Sequence, residues 1–413
     1  MKLLFLCTTE FQLLTALNIK YHMHPDDEVD IIVDNYHGRE KELAERIRET
    51  KLFRKVFYVK SYIEHDTLHR YFKETIAGKS DLCFSWAMNN SLRFAGVKLL
   101  ESLLGAKQYI RHMIYNASEL KLEDYEILIA YGTKPITKKL IAYLSDVNKH
   151  CRIHLLDEGF GIPSLGQYTD LEVIQKIEKC YIYSNAAMHT IPREKICKLP
   201  SIKKTDKEFI SILNHVFQFR SDDVEDYRNA VIFFNPNGGE AKMPRYLKIG
   251  FPLTKVLLRR LYQKHLSEEK VYCNLLALAN FITTSFRKKQ RGKEIWIKLA
   301  PRASRDFIDE YRKRDDIRLL KRWDLPWELL ALNCPLDNSI LLTDLSAAVC
   351  ICRDVVEPLG DNIQRILLYR MMKTEVSDTH KLLFENLENQ NEDLYIPKDA
   401  KEFDEILFQA RNH

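Results

Sequence analysis

Short, nearly unbroken apolar runs alternate along this chain with segments whose apolar residues recur at helical spacing, and few folds accept that pattern. The run from Leu3 to Cys7 precedes the helical spacing of Phe11 to Ile19. The run Val29 to Val33 precedes the charged helical stretch Lys41 to Thr50, and Val56 to Val59 follows. Ile127 to Ala130 leads into a Gly132-Thr-Lys-Pro turn and a helix, and Ile153 to Leu156 leads into Asp157-Glu-Gly159. Strands that alternate with helices build a parallel sheet covered on both faces, which is why such strands are apolar throughout. A second series begins at Ala230 to Phe234, ends in the turn Asn235-Pro-Asn-Gly-Gly239, and continues in Ile295 to Leu299 and Ser339 to Thr343.

The chain has 413 residues, and at about 150 residues per domain this suggests two or three domains. The two series place a first Rossmann-like domain at 1–225 and a second at 226–397. The polar stretch from Lys198 to Asp226 is read as their connection. The remaining 398–413 contains an amphipathic helix, Phe403 to Ala410, assigned as packing back on the N-terminal domain, although either domain offers a face. The expected fold is α/β, with a ligand cleft at the carboxyl ends of both sheets.

Hydrophobic residues make up 46% and charged residues 29%, with 13 Gly and 13 Pro, a globular balance that excludes low-complexity and collagen-like chains. The net charge of +5 is too small at this length for a nucleic-acid surface, so anion binding is expected to be local. Nine cysteines, an odd number with several inside apolar runs, fit a reducing compartment and core thiols. The N-terminal apolar run is cut short by Thr8, Thr9, Glu10 and Gln12, so it reads as a first strand and not a signal peptide. No apolar run reaches 18 residues, so no membrane span is expected.

Three constellations carry chemistry. Asp157 and Glu158 end a strand and precede Gly159 and Gly161, so a carboxylate there serves as general base, or the loop simply ends the strand. Lys298-Leu-Ala-Pro-Arg302 follows a strand of the second series, where Pro301 shapes a turn and Arg302 either grips a phosphate or carboxylate or lies free on the surface. In Thr343-Asp-Leu-Ser346 a strand gives way to a helix, and Thr343 and Ser346 suit either an anion site or a helix cap. His22 and His24 have no third ligand nearby in sequence, and Cys350 and Cys352 lack the two-residue spacing of a redox or zinc pair. The basic run Arg287 to Lys293 reads as a solvated loop or a contact with anionic lipid or glycan. There is neither a phosphate-loop motif nor GxGxxG, which argues against a P-loop ATPase and a standard dinucleotide enzyme.

Taken in order, Thr8-Thr-Glu-Phe-Gln12, Asp157-Glu-Gly159, Ala300-Pro-Arg302 and Thr343-Asp-Leu-Ser346 resemble the motifs of the bacterial sialyltransferases of glycosyltransferase family 52 and the related capsular polysialyltransferases. The resemblance implies a GT-B fold, two Rossmann-like domains facing a central cleft, and inverting, metal-independent transfer without a cofactor. It implies CMP-sialic acid as donor and a surface oligosaccharide or glycolipid as acceptor, in lipooligosaccharide or capsular polysaccharide synthesis. The expected location is cytoplasmic, peripheral at the inner face of the membrane. Glu158 matches the general base and Asp157 its orienting neighbour; Pro301, Arg302, Thr343, Ser346, Asn235 and Gly238 fall on the donor side, Thr9 and Gln12 on the acceptor side.

One position departs from the pattern. Ala300 stands where the resemblance implies the histidine that donates a proton to the departing phosphate, and a methyl group donates none. Loss of such a donor commonly costs on the order of 100- to 1000-fold in rate. Two other readings therefore stand beside the first: a GT-B transferase with another nucleotide sugar, and a catalytically impaired protein that binds nucleotide or glycan.

Overall fold

The computed structural model describes residues 1–34, 39–60, 105–131, 135–159, 176–184, 192–235, 293–300, 303, 305–372 and 376–409. These divide into two compact units, 1–200 with 211–218, and 201–210 with 219–413.

In the first unit the strands are β1 (Lys2–Cys7), β2 (Glu28–Val33), β3 (Lys55–Tyr58), β4 (Ile127–Ala130), β5 (Arg152–Leu156), β6 (Ile177–Ile182) and β7 (Ile196–Lys198). They form one sheet in the order β3-β2-β1-β4-β5-β6-β7. Every pairing is parallel, as the crossover helices require. The helices described here are α1 (Glu10–His22), α2 (Glu40–Thr50), α3 (Ala106–Met113) and α4 (Pro135–Val147). The strands are buried along nearly their whole length because both faces are covered: Leu4, Leu6, Leu128 and Ile153 pack with Tyr109 and Ile110 of α3 and Leu140 and Leu144 of α4.

The second unit repeats the plan with β9 (Val231–Asn235), β10 (Ile295–Leu299), β11 (Arg318–Leu319), β12 (Ile340–Thr343), β14 (Gln364–Leu367) and β15 (Leu394–Tyr395), in the order β11-β10-β9-β12-β14-β15. Here too every pairing is parallel. The two short strands β8 (Ile202–Lys203) and β13 (Val356–Glu357) pair apart from both sheets. Numbering the strands within each sheet in chain order, the second reads 3-2-1-4-5-6 and the first 3-2-1-4-5-6-7. That is the doubly wound Rossmann order, whose chain reverses direction across the sheet between the first and fourth strands. The α/β class and the two Rossmann-like sheets of the GT-B expectation are present.

The unit boundaries differ from the sequence division at 225. The stretch read as a connection, Lys198 to Asp226, holds β8, the helix α5 (Lys207–Phe217) and a short 3-10 turn, and its first and last parts belong with the second unit. The terminal helix Ala400–Gln409 also differs from its assignment. Phe403, Ile406 and Leu407 are buried in the core of the second unit beside Val231, Phe233 and Ile297.

Candidate functional site

The first unit gathers its sequence-predicted residues at the carboxyl ends of β1 and β5. Thr9 is the N-cap of α1: its backbone is extended and its hydroxyl accepts from the Gln12 N–H at 3.2 Å. This cap places Thr9 and Gln12 on the first helical turn, where both reach across to Glu158. Gln12 Nε2 donates to Glu158 Oε2, and Thr9 Oγ1 donates to the same oxygen at 3.4 Å. The other end of the Gln12 amide is used as well, since Oε1 accepts from the Thr8 N–H at 2.6 Å and the Thr8 hydroxyl at 3.1 Å. Gln12 is fully buried and Glu158 is partly exposed, so the amide is a strut that presents a carboxylate to solvent. The helix N-terminus adds a favourable field for negative charge at that spot.

Asp157 does a different job from its neighbour. It is 3% exposed, and its two oxygens accept from backbone N–H groups, Gly159 at 2.7 Å and Tyr183 at 2.8 Å. These bonds fasten the end of β5 to the residue after β6. Gly159 has φ of +64°, the left-handed conformation that a side chain disfavours, and it turns the chain immediately after Glu158. Asp157 thus fixes where Glu158 stands.

Two residues of this site carry no motif in the sequence. The Tyr183 hydroxyl accepts from Asn18 Nδ2 at 2.9 Å, and the Tyr183 ring lies 6.1 Å from that of Phe11. Asn18 also donates to the Pro200 carbonyl at 2.9 Å. Tyr183 therefore joins α1 to the Asp157 loop, through its side chain on one side and its backbone on the other. The helical spacing of Asn18 with Phe11, one face two turns apart, was the only available signal. Cys7, at the end of β1, is buried, and its thiol is pushed up strongly by burial and then by the Glu158 charge. It is a core thiol, as are Cys350 and Cys352, whose thiols burial also raises.

At the corresponding ends of the second sheet, Ala300 follows β10 and is partly exposed, and its carbonyl accepts from the Ala303 N–H at 2.9 Å. Pro301, Arg302 and Gly238 lie outside the described residues, as does the side chain of Asn235. Thr343 is fully buried, and its hydroxyl donates to the Phe234 carbonyl of the neighbouring strand at 3.3 Å, which makes it a link between β12 and β9. Ser346 precedes the short helix Ala347–Cys350, is partly exposed, and its side chain makes no capping bond. Of the two hydroxyls in this motif, Ser346 is the one that remains open to a ligand.

Sequence reading passed over Asp344 between them. It is 4% exposed, with the Leu345 N–H donating to Oδ1 at 2.8 Å, and burial pushes its carboxyl up to about 6.

His22 and His24 have separate partners, the Asn18 carbonyl at 3.3 Å and the Asp27 carboxylate at 2.7 Å. Among the described residues no group of three His, Cys, Asp or Glu side chains comes together as a metal site, and no helix is long and apolar enough to cross a membrane.

No protein-family model and no curated protein sequence matches this chain. Among solved structures it is similar to UDP-GlcNAc 2-epimerase from Neisseria meningitidis bound to UDP-GlcNAc, at 10% identity over 100% of this chain and 92% of that one, with a TM-score of 0.44. A glycosyltransferase from Rickettsia africae ESF-5 is similar at 9% identity over 100% of this chain and 88% of that one, TM-score 0.38. A putative UDP-N-acetylglucosamine 2-epimerase from Listeria monocytogenes is similar at 8% identity over 85% and 76%, TM-score 0.41.

Proposed function

We propose that this protein is a glycosyltransferase that moves a sugar, sialic acid from CMP-sialic acid in the first instance, onto the hydroxyl of a bacterial surface oligosaccharide. The observation that supports it most is the convergence on Glu158. Thr9 and Gln12 come from one strand–helix junction and Asp157 from another, and together they orient one carboxylate at the carboxyl edge of a Rossmann-like sheet. A carboxylate held in that way removes the proton from an attacking hydroxyl, a contribution of roughly 100- to 10,000-fold in rate.

In this reading the acceptor hydroxyl attacks the anomeric carbon, its proton passes to Glu158, and the bond from that carbon to the nucleotide phosphate breaks. Inversion follows from the single displacement. The nucleotide binds the second unit, at the ends of β9 and β12 where doubly wound sheets take their ligands, with Ser346 and Arg302 as phosphate contacts. The reaction needs no resident metal in this scheme, and the setting is the cytoplasmic face of the membrane, where activated sugars meet glycolipid acceptors.

The test is release of free nucleotide from CMP-sialic acid, with UDP-GlcNAc in parallel, in the presence of galactose-terminated and sialylated acceptors. Transfer is expected from the CMP donor, and Glu158→Gln is expected to lower kcat at least 100-fold while nucleotide binding persists. Turnover of the UDP sugar alone would move the assignment to another nucleotide-sugar transferase. Nucleotide binding without turnover of either donor would leave a binding protein.

A further inference from the structure

The chain reversal of the second sheet falls between β9 and β12, so a ligand at this edge lies between their carboxyl ends. Pairing of Thr343 with Phe234, and of Leu299 with Asn235, sets Asp344 level with Asn235 in the register. Ala300 comes one residue beyond that level and on the far side of β9. Asp344 follows β12, one of the two strands that flank the reversal, and with strands about 4.8 Å apart position 300 stands two strands, about 10 Å, from Asp344. The residue that the resemblance casts as proton donor is alanine, and the described titratable side chain nearest the reversal in this register is a buried acid.

Its surroundings raise its carboxyl to about 6, so that it takes up a proton more readily than an exposed aspartate. Burial is the leading influence, opposed by the N–H groups of Leu345 and of Asp344 itself and by the Thr343 hydroxyl. The residues paired with Thr343 on the flanking strands are Phe234 on β9 and Leu367 on β14, the latter followed by Leu368, Tyr369 and Arg370. Arg370 lies 3.6 Å from both Glu385 and Glu388. No charged side chain among the described residues enters the influences on Asp344. Once protonated, a carboxylic acid in such a place donates a hydrogen bond.

We propose that Asp344 receives the donor's phosphate as the neutral acid and supplies the proton that position 300 cannot. This rests on the donor site proposed above. As the acceptor oxygen bonds to the anomeric carbon, the bond from that carbon to the phosphate oxygen breaks and its electron pair stays on that oxygen. The Asp344 proton moves to the same oxygen, the acceptor proton goes to Glu158, and exchange with water resets both carboxyls. An ionised Asp344 would set like charge against the phosphate, so binding and protonation are linked.

The experiment measures binding of cytidine and uridine 5′-(methyl phosphate) to the full chain between pH 5 and 8. Their phosphate is a diester and keeps one charge throughout that range. Affinity of the wild type is expected to fall up to tenfold more per pH unit above about 6 than that of Asp344→Asn, whose amide donates but does not ionise. Calorimetry of the wild type in two buffers of different ionisation enthalpy is expected to show proton uptake at pH 7, which needs no variant. Transfer by Asp344→Asn is expected to drop 100- to 1000-fold in kcat, with donor KM close to that of the wild type near pH 5. Binding with parallel pH profiles and no proton uptake overturns the inference and leaves the donor site standing. Absence of binding by either diester overturns the donor site and the inference together.

Discussion

Gln12 is a fully buried amide with both ends engaged, and its value lies in what it holds. Gln12→Leu keeps the volume but removes the acceptor used by the Thr8 N–H and hydroxyl and a donor to Glu158. Loss of buried hydrogen-bond partners of this kind costs roughly 1–3 kcal/mol. Urea unfolding is expected to show that loss, with a fall in kcat and an unchanged donor KM; an unaltered midpoint would remove the strut from the account. Asp157→Asn is expected to cost roughly 2–4 kcal/mol, because an amide NH2 then faces one of two backbone N–H donors that a carboxylate accepted. Both residues were legible as members of short motifs. Their division of labour was not, since nothing in Asp157-Glu158 says which acid faces the backbone and which faces solvent.

Among the elements, the strands read most directly were those buried on both faces. Ile127–Ala130 and Ile295–Leu299 have the bounds that their apolar runs indicate, and β1, β2, β5, β9 and β12 lie within a residue of theirs. β6 escaped notice because Glu178 and Lys179 interrupt it and are exposed. β14 escaped because Arg365 sits in its middle, fully buried and bound to Asp393, Asn391 and the Cys350 carbonyl. An arginine in a strand core is tolerable only with such partners, and its side-chain partners lie 26 to 28 residues later.

β5 carries an element-scale prediction of its own. His154 is 1% exposed, its Nδ1 has no hydrogen-bond partner, and burial pulls it down to about 4 despite Glu178 at 3.4 Å. The unfolded chain takes up this proton near the ordinary value of 6.5 and the folded chain only near 4, so stability is full above 6.5 and declines as pH falls through that window. The decline amounts to about 3 kcal/mol. His154→Phe, which keeps a ring against Tyr181, is expected to flatten it in thermal unfolding from pH 7 to 4; a variant as acid-sensitive as the wild type would refute the assignment.

For the whole molecule, the two units respond to pH with opposite sign in the same range. Asp344 has a folded value near 6 against an ordinary value of 3.8, so the ionisation cost of its burial is absent below 3.8 and about 3 kcal/mol once pH exceeds 6. Asp344→Asn is expected to stabilise the protein at pH 7 and to make no difference near pH 4, while the effect of His154→Phe runs the other way. Hydrogen exchange, which reads each sheet separately, should place the first change in β9, β12 and β14 and the second in β4, β5 and β6. A uniform response of both sheets to either variant would contradict this division.

By itself the sequence determined the α/β class, the two series of strands and the order in which the motifs arrive, because apolar periodicity and turn residues act over a few positions. It also placed Asp157 and Glu158 at the end of a strand and Gln12 in the helical stretch that follows the first strand. Only the tertiary structure decided that Gln12 and Thr9 meet Glu158, 146 and 149 residues away, that the terminal helix joins the second core, and that Asp344 stands where the second sheet reverses. Strand order is the physical reason. It is set by which apolar faces bury one another across the sheet, and no local pattern encodes the partner.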